Sequence, residues 1–161
     1  MDTGCTHTHH QPGLAGAGLK AELKAAEGRC AAERQRLTEP RRRALEMLLR
    51  AGQPVKAYDL LPKFHAGGRA AKPPTVYRAL EFLERRGLAH RIESLNAYVA
   101  CRRVGETHAA AFLICDCCGA TAEVEPRAAD MDVVGAEAGY RLTSVTIEAH
   151  GLCAACAADA P

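Results

Sequence analysis

The sequence has no run of about 18 apolar residues, the length a helix needs to cross a bilayer. Its amino terminus carries Asp2, His7, His9, His10 and Pro12 where a secretory signal would place a charged start followed by an apolar stretch. Both absences lead to the expectation of a cytoplasmic protein with no membrane partner. Catalytic signatures are missing as well. There is no nucleophile elbow, no His-Glu-x-x-His, and no His-x-Glu ahead of a Pro-Cys-x-x-Cys. An enzyme acting on a small-molecule substrate is therefore not expected. Self-similarity at a fixed period is also absent, which argues against a solenoid.

What is present is a chain of 161 residues, 48% hydrophobic, long enough to bury the core of one medium domain or two small ones. Eight cysteines would mean disulfides in a small secreted protein, but closely paired cysteines in a cytosolic chain more often hold metal. The net charge of +2 conceals a division. Residues 20–103 sum to +10 and residues 104–161 to −7. Halves of opposite sign point to different tasks, and the basic half to a polyanionic partner, with nucleic acid first among candidates.

Residues 1–18, with Cys5, His7, His9, His10 and four glycines, show no periodicity and are expected to form a disordered tail. Residues 19–103 carry helical signals followed by a hairpin. Ala, Leu, Lys and Glu favour a helix from Leu19 to Ala32. A second helix has Thr38 placed to cap it, Pro40 in its first turn, an apolar stripe of Leu45, Leu48 and Leu49, and Gly52 to end it. A short third helix is expected over Ala57–Phe64, kinked or shortened by Pro62. Pro73 and Pro74 open a fourth, with Val76, Ala79, Leu80 and Leu83 on one face, Thr75, Arg78 and Arg85 pointing away, and Gly87 closing it. Strand-like runs at Leu88–Ile92 and Ala97–Cys101 flank a turn. Helices followed at once by a hairpin are the parts of a winged helix.

Past Val104 the expected order is strand (Ala111–Cys115), strand (Thr121–Glu125), helix (about Arg127–Ala138) and strand (Tyr140–Ala149). The fold class expected is α+β, an N-terminal winged helix joined to a small α/β domain over residues 104–161, with a hinge about 101–110. A unit of roughly 50 residues lies near the lower limit of independent stability, so a metal staple or a partner subunit is expected.

Cys115-x-x-Cys118 and Cys153-x-x-Cys156 provide the sharpest chemical signal. Each pair chelates from a tight turn, and four thiolates close the tetrahedral shell of structural zinc, leaving no open position to activate water. Cys117, between the first pair, has the wrong spacing for that turn and reads as a spectator; Cys30 reads as a packed helix residue. His90, Cys101, His108 and Glu123 are further potential ligands near the junction of the two halves. Taken singly, each has a plain surface or hydrogen-bonding account. For nucleic acid, Arg78 on the outer face of the fourth helix can offer a two-pronged donor to guanine. Arg41, Arg42 and Arg43 oppose the dipole at a helix start, which suits phosphate contact better than helix stability.

The runs Lys72-Pro-Pro-Thr-Val-Tyr-Arg-Ala-Leu80, His90-Arg-Ile-Glu-Ser94, Thr107-His108, Phe112-Leu-Ile-Cys-Asp-Cys-Cys-Gly119 and Ile147-Glu-Ala-His-Gly-Leu-Cys-Ala-Ala-Cys156 resemble the ferric uptake regulator superfamily, and within it the zinc uptake branch. The likeness runs in order from Leu19 to Cys156. It implies a homodimer with an amino-terminal winged helix and a carboxy-terminal dimerisation domain. By position in the family pattern it also implies that His90, Cys101, His108 and Glu123 form a sensing zinc site. One thiolate, two imidazoles and one carboxylate suit tetrahedral zinc, and the soft sulfur argues against iron(II) or manganese(II). Tyr58 and Tyr77 resemble positions that touch bases or backbone in relatives, and Thr75, on the outer face of the fourth helix with Arg78, is a further candidate DNA contact.

Two Zn2+ per subunit are then expected, one structural and one regulatory. The function implied is a zinc-responsive transcriptional repressor whose zinc-loaded homodimer binds palindromic double-stranded operators of zinc-acquisition genes. The alternative is an iron, manganese or peroxide sensor of the same superfamily. One departure bears on that choice: iron-sensing relatives carry a His- and Asp-rich run before the first cysteine pair, whereas here His108 is followed by Ala109, Ala110 and Ala111. His150 is the residue left over from such a site, or simply faces solvent.

Overall fold

The computed structural model describes residues 12–64, 70–101, 110–125, 131–142 and 145–158. The chain divides into two compact units, His10–Gly105, and Glu106–Pro161 grouped with Met1–His9.

In the first unit α1 spans Gly16–Ala32 and buries Leu19, Leu23, Ala26 and Cys30, a stripe at helical spacing. The chain then reverses through Arg34, which adopts a positive φ of 56°. Helix α2 spans Glu39–Ala51 and buries Ala44, Leu45, Leu48 and Leu49. Thr38 stands at its N-cap, but the hydroxyl makes no cap hydrogen bond; Pro40, lacking an N–H, removes one of the donors a cap would serve. Gly52 ends the helix at φ 64°, a left-handed geometry that glycine adopts without strain. Gly13 lies so close to the Arg50 carbonyl oxygen that a Cβ would overlap it, and the Leu14 N–H donates to Leu49 O at 2.8 Å. The segment before α1 is thereby fastened to the end of α2.

Helix α3 covers only Ala57–Leu60 and continues as a 3-10 turn, Leu61–Lys63. The expected helix to Phe64 is thus shortened at Pro62, which cannot donate the next α-helical bond. Helix α4, Pro73–Arg85, begins on two prolines and buries Val76, Ala79, Leu80, Phe82 and Leu83. It leads through Gly87 (φ 60°) into an antiparallel hairpin of β1, Ala89–Ile92, and β2, Ala97–Ala100. Asn96 (φ 46°) supplies the left-handed residue of the turn, a role asparagine tolerates. A bridge that sequence reading missed, Val55 to Tyr98, adds a third short strand position to the hairpin. The core lies among these helices, with Leu48, Phe64, Val76, Leu80 and Leu83 fully enclosed. Four helices backed by a hairpin make this unit a winged helix.

The second unit holds β3 (Ala110–Cys115), β4 (Thr121–Val124), α5 (Met131–Glu137), β5 (Thr146–Gly151) and α6 (Ala154–Ala158). The three strands are ordered β4-β3-β5, with β4 antiparallel to β3 and β5 parallel to it. The expected strand from Tyr140 begins only at Thr146, because Tyr140 N–H turns back to Gly135 O at 2.7 Å and so closes α5. The first residues of the helix expected from Arg127 lie outside the described residues, and α6 was not anticipated. Phe112 and Ile114 are buried, while Leu113, Met131, Val133 and Val134 stay exposed.

Candidate metal centre and nucleic-acid interface

The sheet explains how two distant cysteine pairs meet. Parallel pairing sets Cys115, the last residue of β3, opposite Gly151, the last of β5, so both chains leave the sheet at the same edge. The first turns tightly: Gly119 N–H donates to Cys115 O and Cys115 N–H to Ala120 O, both at 2.9 Å, with Gly119 at φ 72°. The second passes Cys153 and enters α6, whose first turn carries Cys156. The sulfurs of Cys115, Cys118, Cys153 and Cys156 all lie within 4.8 Å of one another, and Cys118 Sγ is 3.9 Å from Cys153 Sγ. A tetrahedral zinc with Zn–S of about 2.3 Å separates its sulfurs by roughly 3.8 Å. The four thiols therefore fit one zinc ion.

The electrostatics of the cluster agree. Backbone N–H groups of Cys118, first, and of Cys153 point at the Cys115 sulfur and lower its pKa to about 6; the Cys153 N–H lies 3.3 Å away. Burial, followed by the neighbouring thiols, pushes Cys156 up. At Cys118 the Ala120 N–H lowers the pKa, but burial and the Cys115 and Cys153 sulfurs outweigh it and the net shift is upward. The Cys115 sulfur is ready to bind as a thiolate, and Cys118 and Cys156 release their protons when a cation compensates the charge.

A bracket absent from the sequence reading closes the same edge. His150 Nδ1 lies 2.9 Å from Asp116 Oδ1, and Asp116 N–H donates to Gly151 O at 2.8 Å. His150 thus joins β5 to the cysteine turn. The two residues are 34 positions apart, and only the parallel register reveals their meeting.

Of the residues assigned to sensing, His90 lies on β1 opposite Val99, and Cys101 follows β2 with its N–H bonded to Leu88 O at 3.0 Å. Alternation along paired strands puts His90 and Cys101 on one face of the hairpin, as diagonal neighbours. Cys101 is buried and His90 half-buried. Glu123, half-buried on β4 opposite Phe112, belongs to the second unit. His108 lies outside the described residues.

On the outer face of α4, Arg78 is exposed and Thr75 half-buried. Tyr77 is 51% and Tyr58, in α3, 74% exposed, so neither serves the core. The three arginines at the start of α2 differ among themselves. Arg41 stacks on the Phe82 ring, 3.6 Å from its centroid, and donates to Arg36 O at 2.7 Å. Arg42 pairs with Glu27 at 2.8 Å. Arg43 donates to Phe64 O and Lys63 O, both at 2.9 Å, and meets Glu46 at 3.1 Å. Sequence reading gave no signal of these ties, because the carbonyl partners come from a distant turn.

The pattern of the ferric uptake regulator family matches residues 32–156. The chain belongs to that family. Its likeness falls on the zinc uptake branch, as a family member 43% identical over 137 residues shows: the zinc uptake regulation protein of Escherichia coli strain K12, matched over 83% of this chain and 80% of that protein. A solved zinc uptake regulator complexed with zinc and DNA is similar at a TM-score of 0.79 and 40% identity, covering 89% of this chain and 98% of that one. The holo form of XcZur is similar at a TM-score of 0.74 and 40% identity, covering 86% and 98%. The winged helix and the small second unit described above are the two parts of this family's fold.

Proposed function

We propose that this chain is a zinc-responsive transcriptional repressor that acts as a homodimer on palindromic operator DNA of zinc-acquisition genes. The observation that carries the reading is the pairing of a four-cysteine cluster with a winged helix in a chain similar, over most of its length, to a zinc uptake regulator complexed with zinc and DNA. The Zn2+ complement is two per subunit. Cys115, Cys118, Cys153 and Cys156 hold the structural ion and fasten β5 and α6 to β3. His90, Cys101, His108 and Glu123 are the regulatory ligands, a reading supported by their donor chemistry and by the shared face of His90 and Cys101.

A bound zinc supplies a cross-link among its ligands and no catalysis. The protein does the rest. Arg78 reads a base edge from the major groove, with Thr75, Tyr77 and Tyr58 beside it. Arg41, Arg42 and Arg43 contact phosphates, Arg42 having the fewest internal ties. Leu113, Met131, Val133 and Val134, apolar and exposed in the single chain, support a second copy as partner of the second unit. Regulatory ligands drawn from the wing and from residues 106–161 couple the readers to the dimer, so that DNA and zinc favour one another by about 1–3 kcal/mol. No helix among the described residues is long and apolar enough to cross a membrane, and the free thiols of Cys101, Cys115, Cys118, Cys153 and Cys156 accord with a cytoplasmic setting.

The test is operator binding by metal-stripped protein given zinc, iron(II) or manganese(II) in turn. Restoration by zinc at the lowest free concentration supports the reading. Restoration by iron or manganese at lower concentration makes the chain a sensor of that metal instead.

A further inference from the structure

Three arginines from separate parts of the first unit converge where α1 ends and α2 begins. Arg29 lies in the last turn of α1, Arg41 in the first turn of α2, and Arg86 directly after α4. Phe82 stands between two of them, its ring centroid 3.6 Å from the Arg41 Cζ and 5.9 Å from that of Arg86. Arg29 Nη2 donates to the Arg86 carbonyl oxygen at 3.5 Å. Glu33 is the carboxylate that answers this group, accepting from Arg86 Nη1 at 2.8 Å. Cys30 adds no negative charge, since burial first, and then Glu33, raise its thiol pKa.

Two donors remain. Arg29 Nη1 and Arg86 Nε are both buried, and neither has an acceptor among the described residues. A buried N–H without an acceptor is costly, and native proteins satisfy such groups with ordered water or an ion. The charge balance selects between these: among the described residues one carboxylate faces three guanidinium groups, which favours an anion, and the fork of an arginine matches the oxygens of a phosphate.

We infer that Arg29, Arg41 and Arg86 form a binding site for a phosphate-class oxyanion, remote from the base-reading part of α4. Arg86 lies eight residues beyond Arg78, or about 12 Å along the helix direction. Phe82 holds the Arg41 guanidinium flat, and Glu33 orients Arg86 so that its Nε stays turned inward. The phosphate comes either from solution or from an operator backbone that continues past the reading helix. The site shares Arg41 with the proposed backbone contacts, yet its affinity for a free anion is independent of zinc sensing and of operator recognition.

Isothermal titration of the zinc-loaded, full-length protein with inorganic phosphate, at constant ionic strength set by chloride, tests the inference. Saturable binding is expected, weakened at least tenfold in Arg29→Gln and in Arg86→Gln and unchanged in Arg50→Gln, whose side chain is engaged with Glu46 instead. Circular dichroism of each variant verifies the fold, and the two variants act on different side chains of one site, so a folding defect in one leaves the other informative. A second arm measures affinity for short and flank-extended operator duplexes. A loss confined to the extended duplex, with a salt slope smaller by about one ion, identifies the backbone as the phosphate source. Equal affinity for both duplexes, alongside phosphate binding, identifies the free anion. Absence of saturable phosphate binding together with equal duplex affinities in parent and variants overturns the site and leaves water as the acceptor for both donors.

Discussion

Cys115 and Gly151 face each other at the ends of parallel strands β3 and β5, and this one register brings two cysteine pairs 38 residues apart into a single cluster. That edge is where the second unit gathers its four sulfur ligands. Few of its described side chains are fully buried, Phe112 and Ile114 being the largest, so the cluster stands in for a core of adequate size.

Replacing Cys115 or Cys153 by serine is accordingly expected to abolish the structural zinc and weaken the dimer. Three thiolates and a hydroxyl no longer close the shell. Metal content by mass spectrometry and the dimer constant by sedimentation check this on one preparation; unchanged values for both would remove the cysteine from the site.

Glu46 gives a pH-dependent prediction in the first unit. Its side chain is 17% exposed and joins Arg43 at 3.1 Å and Arg50 at 2.9 Å. Burial alone would raise its pKa, but hydrogen bonds from Arg50 and Arg43 outweigh this and hold it below the ordinary value of 4.5. A carboxyl whose pKa is lower when folded contributes stability above its unfolded pKa and loses it as the pH falls through the folded one. Glu46→Gln should therefore cost about 1 kcal/mol at pH 7 and progressively less below about pH 4.5. Urea unfolding from pH 3 to 7 measures it; a constant difference across that range would contradict the assignment.

Much of the first unit was legible because its signals are local. Pro73 and Pro74 open α4, Gly87 closes the passage into β1, and the spacing of Val76, Ala79, Leu80 and Leu83 declares the buried face. The cysteine spacing was equally plain. What could not be read was non-local: the parallel partner of β3, the Val55–Tyr98 bridge, and the carbonyl groups of Lys63 and Phe64 that occupy Arg43. Tyr140 to Thr146 failed for a related reason. Strand-forming residues there carry no local mark of where pairing begins, and α5 recaptures Tyr140 through Gly135. The resemblance to a known family supplied the regulatory ligand set, which spacing alone left as four unrelated residues.

Arg78→Ala should cost about 1–3 kcal/mol of operator affinity and relax one base preference, as the loss of a base-edge contact does. Arg78 is exposed on the outer face of α4, so folding should be untouched. Binding measured against a panel of single-base operator changes decides the matter. An equal loss on every sequence would make Arg78 a phosphate contact.

Cys101→Ser is the measurement that bears most directly on the central claim, because it separates sensing from structure. Cys101 is buried, and its backbone is already held by Leu88, so serine fits in place with little disturbance. Serine stays protonated and binds zinc far less well than a thiolate. Zinc stoichiometry, dimer mass and operator affinity are to be determined on one preparation, with and without added zinc. The account predicts a folded dimer that keeps the four-cysteine zinc and loses zinc-stimulated operator binding, with His90→Ala or His108→Ala behaving alike and not adding to it. Cys101→Ser protein that responds to zinc as the parent does would contradict the account.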